Sequence, residues 1–333
     1  ADSEAGVSFF NVFDAANPLL VAQVDTPGIA KRVACGNNRV AVADGDSGLA
    51  LIDISNIATA RIANQVALSD TATSVAVAGK VAYVGTSGNQ IVIVDLQSGA
   101  TLGQVTVGEG IQDLRVNGDY LYALTTAKLY SFLISKNLLI AQNSVGAPGT
   151  VGAGGRLWRL FVGDKIAYAT HNKGYDTFDL SQPGSPQLIA AGDTSQFGWK
   201  QLVSNGSGIG VAAVGANSTD DGDHDISLYD ISNPTQTNQF LTTFTTPGLA
   251  AALSLYNGRA FVADSLSGMQ IINYLEFDSK GISPTISLSS NFAPGVAEEA
   301  TTMRVTANIS DDVQVRNVEF YVNGILTATV GGF

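Results

Sequence analysis

The chain has 333 residues, of which 45% are apolar, 14% are charged and 36 are glycine. This composition argues against disorder and is typical of many short strands joined by tight turns. The formal net charge of −12 argues against nucleic-acid binding, and no apolar run is long enough for a membrane-spanning helix.

A polar side chain recurs in the middle of an apolar segment along most of the chain. Successive markers are 36 to 51 residues apart, and the best copies share an Ala-Asp, a turn ending in glycine and a second apolar strand. The markers are Asn11, Asp53, Asp95, Ser131, Asp179, Asp230 and Asn273. Repeats of about 40–50 residues that contain several short strands predict an all-β fold, the β-propeller.

Residues 29–68 show the content of one repeat. The segments RVACG, RVAVAD, LALIDIS and RIANQVAL are separated by turn residues, which predicts four strands, A to D, in each blade. The A strands align on one apolar position, which we expect to form the inward wall of the blades around a common centre. The aligned residues are Val33, Val75, Leu114, Leu160, Leu202 and Leu253.

The number of blades depends on the first residues of the chain. Six complete A–B hairpins are present, whereas the N-terminal segment supplies only a C-like strand, VSFFNVF, and a D-like strand, LLVAQVD. We expect seven blades, of which the first is incomplete. In the alternative, the N-terminal strands close the last blade and the ring has six blades.

The repeat pattern ends near residue 276, and a different all-β pattern follows. We expect a propeller over residues 1–276, a linker over 277–283 and a partial immunoglobulin-like sandwich over 284–333. The alternating strands of this last segment include a hairpin that turns at Asn323-Gly324. Both ends of the sequence suggest a fragment of a longer modular protein.

Two family resemblances follow from these residues. The Ala-Asp-x-x-x-Gly turn at Ala43–Gly48 with the strand Leu49–Asn56, and the segments Ile93–Leu96 and Leu228–Pro234, resemble the LVIVD-repeat propellers of exported bacterial and archaeal proteins. The segment SDDVQVRNVEFYVNG at 310–324 resembles bacterial immunoglobulin-like domains of surface proteins. Together these resemblances imply a secreted or cell-surface location, and they imply no particular chemistry.

Acidic residues and both histidines of the chain fall in predicted B–C loops. In propellers these loops share a rim with the D–A loops, so we expect a rim surface that carries Asp44, Asp46, His171, His224 and Asp264. One loop holds four aspartates within six residues: Asp220, Asp221, Asp223 and Asp225. This loop is either a solvated acidic loop or a metal site, for which calcium is the expected ion.

The single cysteine, Cys35, lies in the apolar segment RVAC and is expected to be buried. No catalytic motif is recognisable, and we assign no catalytic or cofactor-binding residue. The sequence therefore predicts a non-enzymatic adhesion or protein-interaction module with a protein or glycan partner at the cell surface. The alternative is a secreted hydrolase or lyase with a site on the B–C loop rim, assisted by calcium.

Overall fold

The computed structural model describes residues 1–14, 17–150, 157–163, 165–215, 224–256, 258–274, 283–293, 296, 299, 303–310, 315 and 317–331. Within these residues the chain is all-β, apart from three single-turn 3-10 helices at Ile57–Thr59, Pro148–Thr150 and Ser265–Ser267. None of the described helices is long and apolar enough to cross a membrane.

Most of the chain forms six antiparallel sheets in which consecutive strands are neighbours. The first two sheets consist of β3 (Arg32–Gly36), β4 (Arg39–Ala43), β5 (Leu49–Asp53), β6 (Arg61–Val66), β7 (Ala72–Ala78), β8 (Val81–Thr86), β9 (Gln90–Asp95) and β10 (Thr101–Thr106). The next two consist of β11 (Ile111–Asn117), β12 (Tyr120–Thr125), β13 (Lys128–Ser135), β14 (Leu138–Gly146), β15 (Leu157–Val162), β16 (Ile166–His171), β17 (Gly174–Asp179) and β18 (Gln187–Asp193). The last two consist of β19 (Phe197–Ser204), β20 (Ile209–Gly215), β21 (His224–Asp230), β22 (Phe240–Phe244), β23 (Ala252–Tyr256), β24 (Arg259–Ala263) and β25 (Met269–Asn273).

Local turn chemistry explains the hairpins. Between β3 and β4 the chain turns through Asn37 and Asn38, whose φ angles are 50° and 56°. Asparagine tolerates this left-handed region, which the two-residue hairpin turn requires at both central positions.

The first strands of the six sheets lie side by side around one cavity, which we call the central channel. The aligned apolar side chains fill the spaces between adjacent blades. Leu114, for example, packs with Tyr83 and Ile93 of the preceding blade, and Leu202 packs with Tyr168 and Tyr175. Five of the six aligned residues are buried in this way, so burial between stacked blades holds the ring together.

Val33, the first aligned residue, differs because it is 39% exposed. No A strand of a preceding blade covers this face of β3 within the described residues. Cys35 lies two residues further along β3, on the same face, and it too is exposed. The expectation that Cys35 is buried is therefore wrong.

The structure supports the six-bladed alternative and not the expected seven blades. Six A strands line the channel: β3, β7, β11, β15, β19 and β23. The N-terminal strands, β1 (Val7–Asn11) and β2 (Leu19–Val24), pair with each other and pack against the first blade. They contribute no A–B hairpin, and in the described residues they pair with each other rather than with the strands of the last blade.

Six of the seven recurrent polar markers are the last residue of their C strand; the exception, Ser131, lies inside β13. Asp53, Asp179 and Asp230 each accept a hydrogen bond from the backbone N–H two residues later, at Oδ1···N distances of 2.7 to 3.0 Å. Each of these aspartates therefore closes a turn, which explains its recurrence without any catalytic role.

The C-terminal segment forms two separate hairpins in the described residues. One pairs β26 (Thr285–Ser290) with β27 (Val305–Ser310), and the other pairs β28 (Asn317–Val322) with β29 (Ile325–Gly331). The second hairpin turns at Asn323 and Gly324, both with positive φ, as the Asn-Gly pair predicts.

Candidate functional site: the central channel

The A strands place one ring of side chains immediately before the aligned apolar residues. Backbone pairing puts Arg32 opposite Ala43, Asp113 opposite Leu124 and Gln201 opposite Ala213, each at the fifth residue of the B strand. The complete ring is Arg32, Ser74, Asp113, Arg159, Gln201 and Ala252. Four of its six members are polar groups with long or charged side chains, which is unusual for the centre of a stacked sheet assembly.

The channel has a volume of ≈ 470 Å³. This volume lies within the range of small-molecule sites. Its charged lining residues are Lys31, Arg32, Asp113, Arg115 and Arg159. Cationic side chains therefore outnumber the single carboxylate four to one, although the whole chain carries a net charge of −12.

Asp113 is buried and its oxygens are occupied. Its Oδ1 accepts from the N–H of Leu114 at 3.0 Å, and its Oδ2 accepts from the N–H of Leu160, in the next blade, at 3.0 Å. The Nη2 of Arg115 lies 3.3 Å from the same Oδ2, and Nε of Arg115 donates to the Leu160 carbonyl oxygen at 2.7 Å. Asp113 and Arg115 thus connect the third blade to the fourth.

Gln201 makes the same kind of connection between the fifth and sixth blades. Its Oε1 accepts from the N–H of Leu253 at an O···N distance of 2.9 Å. Side chains of this ring therefore satisfy the inner backbone edges of the A strands, which would otherwise lack partners.

The remaining two arginines are poorly compensated. Nη1 of Arg32 donates to the Lys31 carbonyl oxygen at 2.9 Å, whereas its Nε is buried without a partner among the described residues. The guanidinium of Arg159 makes no hydrogen bond or ion pair within the described part of the chain. Burial, together with the charge of Arg32, lowers the pKa of Arg159 well below its usual value. Burial likewise lowers the pKa of Arg32.

Sequence analysis did not identify this channel. The signal was present one position before the aligned apolar residues, where the letters Arg, Asp, Arg and Gln appear in four of the six A strands. Because successive side chains of a strand point to opposite faces, these polar residues lie on the face opposite the aligned apolar residues. Their recurrence at this position was a signal for a polar surface along the A strands.

Two predicted rim residues have a structural role instead. Asp44 is fully buried; its Oδ1 accepts from the Thr26 hydroxyl at 2.6 Å and its Oδ2 accepts from the Gly28 N–H at 3.0 Å. Asp264 is bound in the same way, by the Thr246 hydroxyl at 2.8 Å and the Gly248 N–H at 2.8 Å. We call each arrangement a Thr-Pro-Gly clamp, after the segments 26–28 and 246–248.

The clamps show that B–C and D–A loops do meet at one rim, although Asp44 and Asp264 are not open surface groups there. Asp46 is exposed and accepts a hydrogen bond from the Thr71 hydroxyl. Asp225 accepts from the Thr246 N–H at 3.0 Å.

The acidic loop lies mostly outside the described residues. Asp220, Asp221 and Asp223 belong to that part of the chain, and His224 is described only by its backbone, at the start of β21. Within the described ranges, no three acidic, histidine or cysteine side chains are close enough to hold a metal ion. The calcium site therefore stays a prediction.

His171 is also buried, at 2% exposure, and lies beside Asp176. Its Nε2 is 3.7 Å from Oδ1 of Asp176, and neither atom has a hydrogen-bond partner among the described residues. Burial lowers the pKa of His171 to about 4 and raises the pKa of Asp176 to about 6. The pair is enclosed by Gly149, whose N–H donates to Oδ2 of Asp176 at 3.1 Å. Because it is enclosed, His171 is not an accessible rim group.

Comparison with protein families assigns two kinds of module. The LVIVD-repeat model matches residues 27–66 and 70–100, and the bacterial Ig domain model matches residues 284–332. No curated protein matches the chain.

Several solved propellers resemble the fold. A putative 6-phosphogluconolactonase from Bacteroides fragilis NCTC 9343 is 15% identical, with a TM-score of 0.65 over 81% of this chain and 87% of that chain. The WD40 propeller of Doa1 is 12% identical, with a TM-score of 0.59 over 81% and 86%. BamB from Moraxella catarrhalis is 16% identical, with a TM-score of 0.51 over 74% and 86%. At these identities the similarity shows the propeller fold alone.

Proposed function

We propose that this chain, which carries LVIVD repeats and a bacterial Ig domain, is a non-enzymatic secreted or cell-surface protein whose propeller is an adhesion or protein-interaction module. Both kinds of module are typical of extracellular proteins. A stacked ring of sheets is a rigid scaffold, and a separate Ig domain is suited to hold such a scaffold away from a surface.

The observation that carries the proposal is the central channel. It is a preformed concave site of ≈ 470 Å³ whose polar groups come from several blades. Sites of this kind fix a ligand by a few placed polar groups on a rigid frame, at little cost in ordering the protein. The partner, a protein or a glycan, inserts a group into this channel.

Direct binding measurements test the proposal. The whole chain is applied to arrays of glycans and extracellular proteins, and positive partners are titrated by biolayer interferometry. Ser254 is exposed and lines the channel, so Ser254→Trp narrows the channel without disturbing the core. The matched control is Thr106→Trp, on the exposed face of β10.

We expect Ser254→Trp to weaken partner binding at least about tenfold and Thr106→Trp to leave it unchanged. Equal binding by both variants would place the partner elsewhere on the molecule. Absence of any partner on the arrays, combined with turnover of a polymer substrate, would favour the hydrolase or lyase alternative instead.

The hydrolase or lyase alternative stays a prediction. Of its predicted rim residues, Asp44, His171 and Asp264 are buried rather than open to a substrate, and Asp46 is exposed. The geometry therefore gives more support to binding than to rim catalysis.

A further inference from the structure

The charge of the central channel is opposite to that of the protein. Lys31, Arg32, Arg115 and Arg159 line it, and Asp113 is the one carboxylate among its lining residues. The sequence has 17 basic and 29 acidic residues in total, so the enrichment of cations in this cavity is not a reflection of composition. A cleft lined by one sign of charge concentrates the field and attracts the opposite sign.

Asp113 does not neutralise all of these cations. Its two oxygens accept from the backbone N–H groups of Leu114 and Leu160, and its ion pair is with Arg115. Arg115 also donates to a backbone carbonyl, so this pair is a connection between blades. The charge of Asp113 also acts on Arg32 and Arg159, but burial outweighs it at both arginines. Neither guanidinium forms an ion pair with a carboxylate within the described residues, and Nε of Arg32 is buried without a partner there.

The ring order places these two arginines on facing walls. Arg32 belongs to the first of the six A strands and Arg159 to the fourth, and both occupy the same level of the ring. Two guanidiniums that approach each other in a partly dehydrated channel repel, and desolvation adds to the cost. Burial is the main reason that the pKa of each arginine is lowered; the charge of Arg32 lowers the pKa of Arg159 further, and the charge of Arg115 lowers that of Arg32. A bound anion would remove both penalties.

We propose that Arg32 and Arg159 form an oxyanion-binding site across the central channel, beside the Asp113–Arg115 ion pair that lines the same cavity. The ligand is a phosphate, sulfate or carboxylate group, because the planar guanidinium matches the spacing of two oxygens and binds them with paired hydrogen bonds. This inference rests on the proposed function in one respect: it names the kind of group that the partner would insert into the channel.

Titration with small anions tests the site directly. The whole chain is titrated by calorimetry with sodium phosphate, sodium sulfate, sodium acetate and sodium glucuronate, at a constant ionic strength set with sodium chloride. We expect saturable binding of phosphate or sulfate, with a parallel rise in Tm. Tighter binding of glucuronate than of acetate, with no binding of glucose, would indicate that the group is carried on a sugar.

Matched arginine variants separate a site from general charge. We expect Arg159→Gln to weaken anion binding at least about tenfold, which corresponds to the loss of one charge-assisted pair. Arg61→Gln removes the same charge from an exposed position on β6 and should leave the affinity unchanged. The unliganded Arg159→Gln protein should melt at a higher temperature than the wild type, which shows that it folds.

Two results would overturn the proposal. One is the absence of saturable binding for all four anions above the sodium chloride baseline. The other is equal weakening by Arg159→Gln and Arg61→Gln, which would mean that binding follows net charge. Failure of the proposed function looks different: anions would bind in the channel, yet Ser254→Trp would not affect the partner.

Discussion

The first and fourth blades both bury a carboxylate at the rim, but they supply it with different hydrogen-bond donors. The difference shows where the sequence of the repeat has diverged. In the first blade, the Thr-Pro-Gly segment at 26–28 gives Asp44 a hydroxyl and an N–H donor. In the fourth blade the corresponding segment is Ala147-Pro148-Gly149, and His171, the last residue of β16, aligns with Asp44, which directly follows β4. Gly149 still donates its N–H, but to Asp176 on the next strand.

The fourth blade therefore keeps one donor to its carboxylate and lacks the threonine hydroxyl. Oδ1 of Asp176 faces Nε2 of His171 at 3.7 Å, too far for a hydrogen bond. The sixth blade resembles the first, since Asp264 is bound by Thr246 and Gly248. The buried rim carboxylate thus has both a hydroxyl and an N–H donor in the first and sixth blades, and only the N–H donor in the fourth blade, whose sequence has diverged.

The largest expected effect comes from breaking a clamp. Asp44→Ala leaves the Thr26 hydroxyl and the Gly28 N–H without an acceptor in a buried site, which should cost about 3 kcal/mol of unfolding free energy. Asp264→Ala should cost about the same. Chemical denaturation measures both. The control is Asp46→Ala on the exposed rim, where a change beyond about 0.5 kcal/mol would contradict the comparison.

A second prediction uses the pH dependence of the unpaired pair. The pKa of Asp176 is raised to about 6, so its protonated form is favoured in the folded state. The corresponding stability is present below the unfolded pKa of about 4 and is lost as pH rises through about 6. Relative to Asp176→Asn, the wild type should therefore lose about 2 kcal/mol between pH 4 and pH 7.

This loss is measured by urea unfolding of both proteins at several pH values. His171 titrates in both proteins, so its own contribution largely cancels in the difference. A difference that stays flat across the range would show that Asp176 has the same pKa in the folded and unfolded protein, and would contradict the prediction.

The third prediction compares two partly buried arginines, whose replacement by glutamine should change the Tm in opposite directions. Arg39, in the first blade, lies with its Nη1 2.6 Å from Oδ1 of Asp53, whereas the Arg159 guanidinium in the fourth blade has no such partner among the residues that the structure describes. Arg39→Gln should lower the Tm by about 2–4 °C, since it removes an ion pair at a buried position. Arg159→Gln should raise it by a similar amount. A fall in Tm for both variants would mean that the packing of the Arg159 side chain stabilises the fold by more than its repulsion of Arg32 destabilises it.

Much of the fold follows from the sequence because burial between blades imposes a period. Leu114, Leu160 and Leu202, which the sequence repeat aligns, all lie in the apolar cores between adjacent blades. The blade count did not follow, because VSFFNVF and LLVAQVD have the pattern of blade strands whether or not a further A–B hairpin accompanies them. The prediction that Cys35 is buried failed for a related reason. Alternation of apolar residues shows which face of a strand is apolar, but it does not show whether another strand packs against that face.

The sites were harder to predict than the fold because pairing partners are distant in sequence. Asp44 and Asp264 are carboxylates in rim loops, so the sequence around them resembles that of exposed ligand groups. Their oxygens are instead occupied by the Thr-Pro-Gly segments, whose glycine lies 16 residues earlier in the chain. Arg32 and Arg159 belong to the first and fourth blades, so their approach depends on how the blades are arranged around the channel. Repetition of Thr-Pro-Gly at 26–28 and 246–248 was a usable signal for the clamps.

The smallest expected effect concerns a feature that the regular and diverged blades share. Asp179, in the fourth blade, and Asp230, in the fifth, both close a C-strand turn on a serine two residues later. These hydrogen bonds hold the pKa of both carboxyls below the usual range. The stability they add is therefore present above the unfolded pKa of about 4 and is lost as pH falls through the lower folded pKa.

Carboxyl titration by NMR should give closely similar midpoints for Asp179 and Asp230, both below about 4. Asp230→Ala should cost only about 0.5 kcal/mol, because the turn is exposed and water replaces the lost acceptor. If Asp179 had the ordinary pKa of an aspartate while the pKa of Asp230 was lowered, the fourth blade would differ from the regular blades in its exposed C-strand turn as well as at its buried rim. Equal values would confine the change to the interior, where Asp176 and Arg159 lie.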